Sequence, residues 1–277
     1  MDLRVTDLVP VDEPGIHGDL RIWSDLELPG LGRRADVYVW LPPGYAASQE
    51  RYPVLYLNDG HNLFLPDRSF AGAVWEVDLA MSHLAEDGIE AIVVGIPCHP
   101  EQRGEEYTPY PHPEHGGGRA DDYVTFLVDQ LKPAVDAALR TRPGREHTVL
   151  AGSSLGGVIS AYLWQQRPDV VGGVGLFSPA FWWPGERSLT DLEQALADGL
   201  DGRVYLDVGG HEQPDAPDVE AAYVADAQRV LAALRRARVP VGYLYDSAAH
   251  HHESAWARRF PAAAAWLLQG YAVTAPS

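Results

Sequence analysis

Residues 152–156 read Gly-Ser-Ser-Leu-Gly, a G-x-S-x-G pattern. Glycines on either side of a central serine permit a sharp strand-to-helix turn that a side chain would obstruct, and such a turn lifts the Ser154 hydroxyl above a sheet as a nucleophile. Leu155 would open the following helix, so its N–H points at the oxyanion formed when the serine attacks a carbonyl. In a chain with 27 glycines so short a pattern also arises by chance. Its setting gives it weight, because 148–152 reads as a buried strand and 155–166 as a helix. Ser153 is off centre and the poorer nucleophile.

A serine nucleophile needs a base, and the base an orienting acid. His250, His251 and His252 stand together after an expected strand at 239–245, and one of them is the expected base. Neighbours on one loop seldom converge on an ion, and no His-x-x-x-His or cysteine partner accompanies them, so no metal or other cofactor is expected. The acid should fall between serine and histidine in the chain. The turn Gly209-Gly210-His211-Glu212 leaves the carboxyl end of an expected strand at 203–208, which favours Glu212. Asp207, inside that strand, reads equally as a buried hydrogen-bonded carboxylate, and Asp215 is a third choice. After a strand at 53–58, Gly60 lets the backbone cross the top of the sheet and brings the His61 N–H toward the nucleophile as a second oxyanion donor.

The elements that must hold these groups alternate along the chain. Strands are expected at 36–41, 53–58, 91–96, 148–152, 173–178, 203–208 and 239–245, and helices at 74–85, 121–140, 155–166, 221–236 and 254–268. Apolar, β-branched runs alternating with 3.6-period segments imply a mostly parallel sheet with helices on both faces. Residues 19–24 and 36–41, joined by a turn at 29–32, read as an antiparallel N-terminal hairpin. No internal repeat or linker interrupts this, so residues 1–277 are expected to form a single α/β domain. One stretch has no periodicity: 97–118 carries five prolines and three histidines. A loop of that length following a central strand is expected to lie over the active site.

Composition narrows the field further. The chain has 277 residues, 46% of them hydrophobic, enough to bury a substantial core. With 21 Lys and Arg against 39 Asp and Glu, the formal charge is −18. That charge repels phosphate backbones and anionic lipid, which disfavours nucleic-acid and membrane partners. The single cysteine, Cys98, forbids an intramolecular disulfide and fits a reducing compartment. The first residues lack an apolar signal-peptide core, and the longest uncharged stretch is too short to span a bilayer. A cytoplasmic location is therefore expected. Nothing in the sequence sets an oligomeric state.

Further segments, taken in order, extend the pattern: Leu41-Pro42-Pro43-Gly44-Tyr45, Tyr52-Pro53-Val54-Leu55-Tyr56, Asp59-Gly60-His61-Asn62-Leu63-Phe64, Ala151-Gly152-Ser153-Ser154-Leu155-Gly156-Gly157, Ser178-Pro179-Ala180-Phe181-Trp182-Trp183, Gly209-Gly210-His211-Glu212 and His251-His252-Glu253-Ser254-Ala255-Trp256. Together they resemble the "putative esterase" branch of the α/β-hydrolases, which includes enterochelin-esterase-like siderophore hydrolases, feruloyl and acetyl-xylan esterases, esterase D and the antigen 85 mycolyltransferases. The resemblance spans roughly residues 34–268. It implies an α/β-hydrolase fold, Ser154 as nucleophile, Glu212 as acid, and His61 and Leu155 N–H as oxyanion donors. The family's histidine lies five residues before a tryptophan, which selects His251 with Trp256. His252 stands where Asn is common and Gly210 where Thr is common. Some siderophore esterases of this branch resemble Ser–His dyads, in which the acid is supportive.

The resulting expectation is a serine carboxylic ester hydrolase acting through an acyl-enzyme on a small-molecule ester. An acyltransferase using the same site, and a non-catalytic binding protein retaining the fold, are the alternatives. Trp182 and Trp183, after the strand that follows the nucleophile helix, are candidates to line the pocket. Arg103, Tyr107 and Tyr110 in the long loop are candidates to bind a carboxylate, a catechol or a sugar, since arginine pairs with anions and aromatic rings stack.

Overall fold

The computed structural model describes residues 1–113 and 115–269. Among these, nine strands form one sheet: β1 (Val9–Pro10), β2 (Asp19–Leu28), β3 (Arg33–Leu41), β4 (Val54–Asn58), β5 (Ile92–Ile96), β6 (Thr148–Ser153), β7 (Gly173–Phe177), β8 (Arg203–His211) and β9 (Val241–His250). Their spatial order is β1-β2-β3-β5-β4-β6-β7-β8-β9. The first three strands are antiparallel, β3 meets β5 antiparallel, and every pairing from β5 to β9 is parallel.

Alternation along each strand builds two cores. In β3, Val37, Val39 and Leu41 face one core while Tyr38 and Trp40 face the other; in β4, Val54 and Tyr56 oppose Leu55 and Leu57 in the same way. Burial on both faces is why these strands read as unbroken apolar runs. The first core is covered by α2 (Arg103–Tyr107), α3 (Ala120–Thr125), α4 (Lys132–Ala138), α5 (Leu155–Gln166), α6 (Glu186–Ala197) and α7 (Pro217–Arg236). The second is covered by α1 (Val77–Glu86) and α8 (Glu253–Leu268).

The architecture expected from the sequence is the one observed, an α/β sheet with an antiparallel N-terminal edge, but several boundaries move. The helix expected at 121–140 is three pieces, with a π-helical turn at Phe126–Leu131 between α3 and α4. Pro133, which has no N–H to donate, stands in the first turn after it. Helix α1 starts three residues late because Glu76 sits at φ 52°, outside helical space. Strand β9 runs five residues past the expected end because β8 also continues to His211, and His211 pairs with His250. Helix α6 was not among the expected elements, although Leu189, Leu192 and Leu196 form its buried stripe.

The topology fixes where a site can form. From β4 the chain moves outward to β5, then returns past β4 to β6 and continues toward the opposite edge. At such a reversal the loops leaving neighbouring strands part to opposite sides, opening a crevice at their carboxyl ends. The two strands at the reversal are β4, followed by Asp59, Gly60 and His61, and β6, followed by Ser154.

Candidate active site

Ser154 adopts φ 57° and ψ −124°, a backbone conformation that strains a non-glycine residue by about 1–3 kcal/mol. Its surroundings hold it there. The Ser154 N–H donates to the Phe177 carbonyl at 2.9 Å, and the Ser154 carbonyl accepts from Gly157 and Ala180 at 3.1 and 3.2 Å. Gly152 lets strand and helix approach closely enough for the turn: a Cβ there would lie 2.7 Å from the Gly156 carbonyl carbon and 3.0 Å from Asn58 Cβ. In the first turn of α5, the Leu155 and Gly156 N–H groups have no preceding carbonyl of the helix to pair with.

The end of β4 is tied to the same turn. The Asn58 side-chain amide donates to the Gly156 carbonyl at 3.0 Å and to Ser160 Oγ at 2.9 Å, and its oxygen accepts the Tyr123 hydroxyl at 2.6 Å. Asp59, in left-handed conformation, then starts the short 3-10 turn Gly60–Asn62. A Cβ at Gly60 would lie 2.7 Å from the Gly95 carbonyl oxygen, so only glycine lets the chain cross β5 here. Arg103 clamps the turn from above, with Nε and Nη2 each 2.8 Å from the Asp59 carboxylate and Nη2 also 3.2 Å from the Ser153 carbonyl. Burial works against ionisation of Asp59, but Arg103 outweighs it and holds the carboxyl below its ordinary value. Burial pulls the His61 imidazole down, with Asp59 opposing.

Across the crevice, Glu212 Oε2 lies 2.6 Å from His251 Nδ1. The carboxylate is fully buried and the imidazole about one-fifth exposed. Glu212 Oε1 accepts the Ser178 hydroxyl at 2.6 Å, and the Gly209 N–H as well. Burial opposes the charge on Glu212, but these hydrogen bonds and that of His251 prevail, leaving its pKa lowered. Ser178 Oγ in turn accepts from Trp256 Nε1 at 3.2 Å and Arg259 Nη2 at 3.1 Å. The His251 ring stands edge-on to Trp256, with centroids 4.9 Å apart, and 5.0 Å from the Tyr223 ring. Tyr223 lines the cavity at Ser154.

The two other acids and two other histidines have separate roles. Asp207 is fully buried; its Oδ1 accepts the Ser178 N–H at 2.9 Å, and its Oδ2 lies 3.2 Å from Arg259 Nε. Burial pushes its carboxyl up, to about 7, against the pull of Arg259. Asp215 is exposed. His250 ends β9 and stacks on His211, while His252 caps α8, its Nδ1 accepting from the Ser254 N–H at 3.2 Å.

Two cavities meet at Ser154. One, of about 660 Å³, is lined by Arg103, His115, Leu155, Trp182, Trp183 and Tyr223 among others. The other, of about 840 Å³, is lined by His61, Phe70, Cys98, Arg103, His251 and Trp256 among others. The segment 97–118 forms part of the wall of both and contains α2, a helical turn within the stretch expected to be loop. A buried Arg33–Glu106 pair, with N–O distances of 2.6 and 2.8 Å, braces it. His115 lays its ring on Trp183, centroids 4.5 Å apart.

Trp182, Trp183 and Arg103 are therefore at the cavities, though Arg103 is already bound to Asp59. Tyr107 and Tyr110 are not, which corrects the sequence reading. Tyr107 is fully buried, its hydroxyl accepting the Asp59 N–H at 3.2 Å. Tyr110 turns away to α6, where its hydroxyl donates to Asp191 and its ring lies under the Arg187 guanidinium at 4.0 Å. Sequence reasoning gave no role to Tyr223, Arg259 or the Ser178 hydroxyl. Ser178 was visible in Ser178-Pro179-Ala180-Phe181-Trp182-Trp183; the other two had no local signal.

Comparisons with known proteins identify the family and the fold. The family model described as "Putative esterase" matches residues 29–267, and the chain belongs to that family. Bacillus subtilis protein YbbA is 23% identical over 239 residues, covering 83% of this chain and 90% of YbbA. The siderophore enterobactin esterase of Emericella nidulans is 27% identical over 206 residues, covering 67% of this chain and 65% of that protein. An IroE-like serine hydrolase from Shewanella oneidensis superposes with a TM-score of 0.73 at 21% identity, over 92% of this chain and 81% of that one, and shares its fold. Family membership supports an esterase activity and, with it, small-molecule esters as substrates. Among the described residues no helix is long and apolar enough to cross a membrane.

Proposed function

We propose that this esterase is a serine carboxylic ester hydrolase that works through an acyl-enzyme, with residues 1–277 acting as one catalytic unit. The observation that carries the reading is the 2.6 Å contact between His251 Nδ1 and the buried Glu212 carboxylate, beside a serine held in a strained turn. With the Nδ1 proton donated to Glu212, the Nε2 lone pair is free to take the Ser154 proton. Ser154 Oγ then adds to the ester carbonyl, and the His61 and Leu155 N–H groups receive the oxyanion. His251 returns its proton to the departing alkoxide, and water repeats the sequence on the acyl-enzyme.

The same roles assign the two cavities. His251 lines the larger cavity and is absent from the lining of the smaller one. The group that receives its proton must lie beside it, so the alcohol portion occupies the cavity with His61 and Phe70. The acyl portion then stays with Trp182, Trp183 and Tyr223.

The test is initial-rate hydrolysis of p-nitrophenyl esters by wild type, Ser154→Ala and His251→Ala. Both substitutions should remove nearly all turnover while Ser154→Ala melts within a few degrees of wild type. Turnover retained by Ser154→Ala would reject the assignment.

A further inference from the structure

Just beyond β5, the chain places Cys98 beside the turn that follows β4. The Cys98 sulfur, one His61 ring nitrogen and one Asp59 carboxylate oxygen all lie within 4.8 Å of one another. Asp59 and Cys98 are buried, and all three residues line the larger cavity. We propose that Asp59, His61 and Cys98 form a binding site for a thiophilic divalent cation of the zinc class, with a fourth position open to the cavity.

Thiolate, imidazole and carboxylate are all zinc donors, and the sulfur selects against magnesium and calcium. Zinc bond lengths place tetrahedral donors about 3.3–3.8 Å apart, so atoms now within 4.8 Å must close by at most about 1.5 Å. Arg103 remains on Asp59 as an outer partner that fixes the carboxylate's orientation, the arrangement typical of ligating carboxylates. On binding, Cys98 releases its thiol proton to solvent and its sulfur lone pair forms the metal bond; nothing is oxidised or reduced. One positive charge is offset by the new thiolate, and the chain's formal charge of −18 favours the remainder. An ion held by these residues would take up space in the larger cavity, which they line, and narrow the alcohol side. Inhibition of hydrolysis follows if the preceding functional reading holds, whereas binding itself does not depend on it.

Cobalt(II) is the probe. Cys98 is the single cysteine of the chain, so a thiolate-to-cobalt charge-transfer band reports this residue alone. Titrating the 277-residue protein should give that band with tetrahedral d–d absorption, saturating at one ion per chain. Cys98→Ser should abolish the band, and His61→Ala should weaken affinity by about tenfold or more, at least the cost of losing an outer-shell partner. Ser154→Ala and His252→Ala should keep it, with each variant's fold checked by thermal melting. Zinc should displace the band and suppress p-nitrophenyl acetate turnover over the same concentration range. Absence of a thiolate band at millimolar cobalt, or a band unchanged in His61→Ala, would overturn the site. Because the absorption readout needs no turnover, failure of the hydrolase reading leaves it intact.

Discussion

Replacing Glu212 by glutamine keeps the side chain's size and removes its charge. The native carboxylate receives the Ser178 hydroxyl at 2.6 Å, the Gly209 N–H, and His251 Nδ1 at 2.6 Å. A glutamine oxygen can satisfy Ser178 and Gly209 only by turning its NH2 toward Nδ1. A donor there moves the imidazole proton to Nε2, the tautomer that cannot accept from Ser154. The equivalent acid-to-amide change in a serine protease triad costs about 10⁴ in kcat, or about 5.5 kcal/mol at about 1.36 kcal/mol per tenfold. Glu212→Gln should therefore lower kcat/KM for p-nitrophenyl acetate by about 10³–10⁴, with KM little changed. Stability follows a related course. The folded pKa of Glu212 is depressed, burial being outweighed by its hydrogen bonds, from an ordinary value of 4.5. Its contribution is thus present above that value and lost as pH falls through the folded pKa. The wild-type advantage over Glu212→Gln in urea unfolding should shrink as pH falls below about 4.5. A kcat/KM within about tenfold of wild type would refute the reasoning and leave a Ser–His dyad with Glu212 in support.

Other consequences are as direct. Ser178→Ala removes a donor to Glu212 and orphans Trp256 Nε1 and Arg259 Nη2, so it should cost about 1–3 kcal/mol in denaturant unfolding and lower kcat as His251 loses its fixed partner. Burial pushes the Asp207 carboxyl up to about 7, so its contribution to stability falls as pH rises through that value, and the urea-midpoint advantage of wild type over Asp207→Asn should narrow between about pH 4 and about pH 7. Trp183→Ala removes the ring against His115 and should reduce kcat/KM for p-nitrophenyl benzoate by about 10- to 100-fold, the worth of a buried aromatic side chain, with a much smaller effect on the acetate. Equal losses on the two esters would show that the acyl group does not reach Trp183.

What could be read from the sequence was mostly what depends on near neighbours in the chain. Gly152 announces the tight strand–helix approach because the clash it avoids, with Gly156, is local, whereas Gly156 makes room for Asp59 and Gly60 for Gly95, neighbours that only the fold supplies. The strands were legible because both faces of the sheet are buried, which makes each strand an apolar run. Groups that arrive through tertiary packing left no local trace. Tyr223 comes to the cavity at Ser154 from α7, and Arg259 reaches Ser178 from α8. Tyr107 and Tyr110 look alike in a loop of irregular composition, yet one faces the core and the other α6. The extra length of β9 was hidden because Ser247, Ala248 and Ala249 carry little strand preference; close approach to Gly209 and Gly210 keeps them in the sheet. Cys98, His61 and Asp59 follow two different strands, and only the side-by-side pairing of β4 and β5 brings them together.

The central claim is that Ser154 is a nucleophile activated by His251. Intact-mass measurement after treatment with a fluorophosphonate, followed by peptide mapping, tests it most directly. The account predicts a single phosphonyl adduct on Ser154, absent in Ser154→Ala and formed far more slowly in His251→Ala. No adduct in the wild-type protein, or one that maps to another residue, would contradict it.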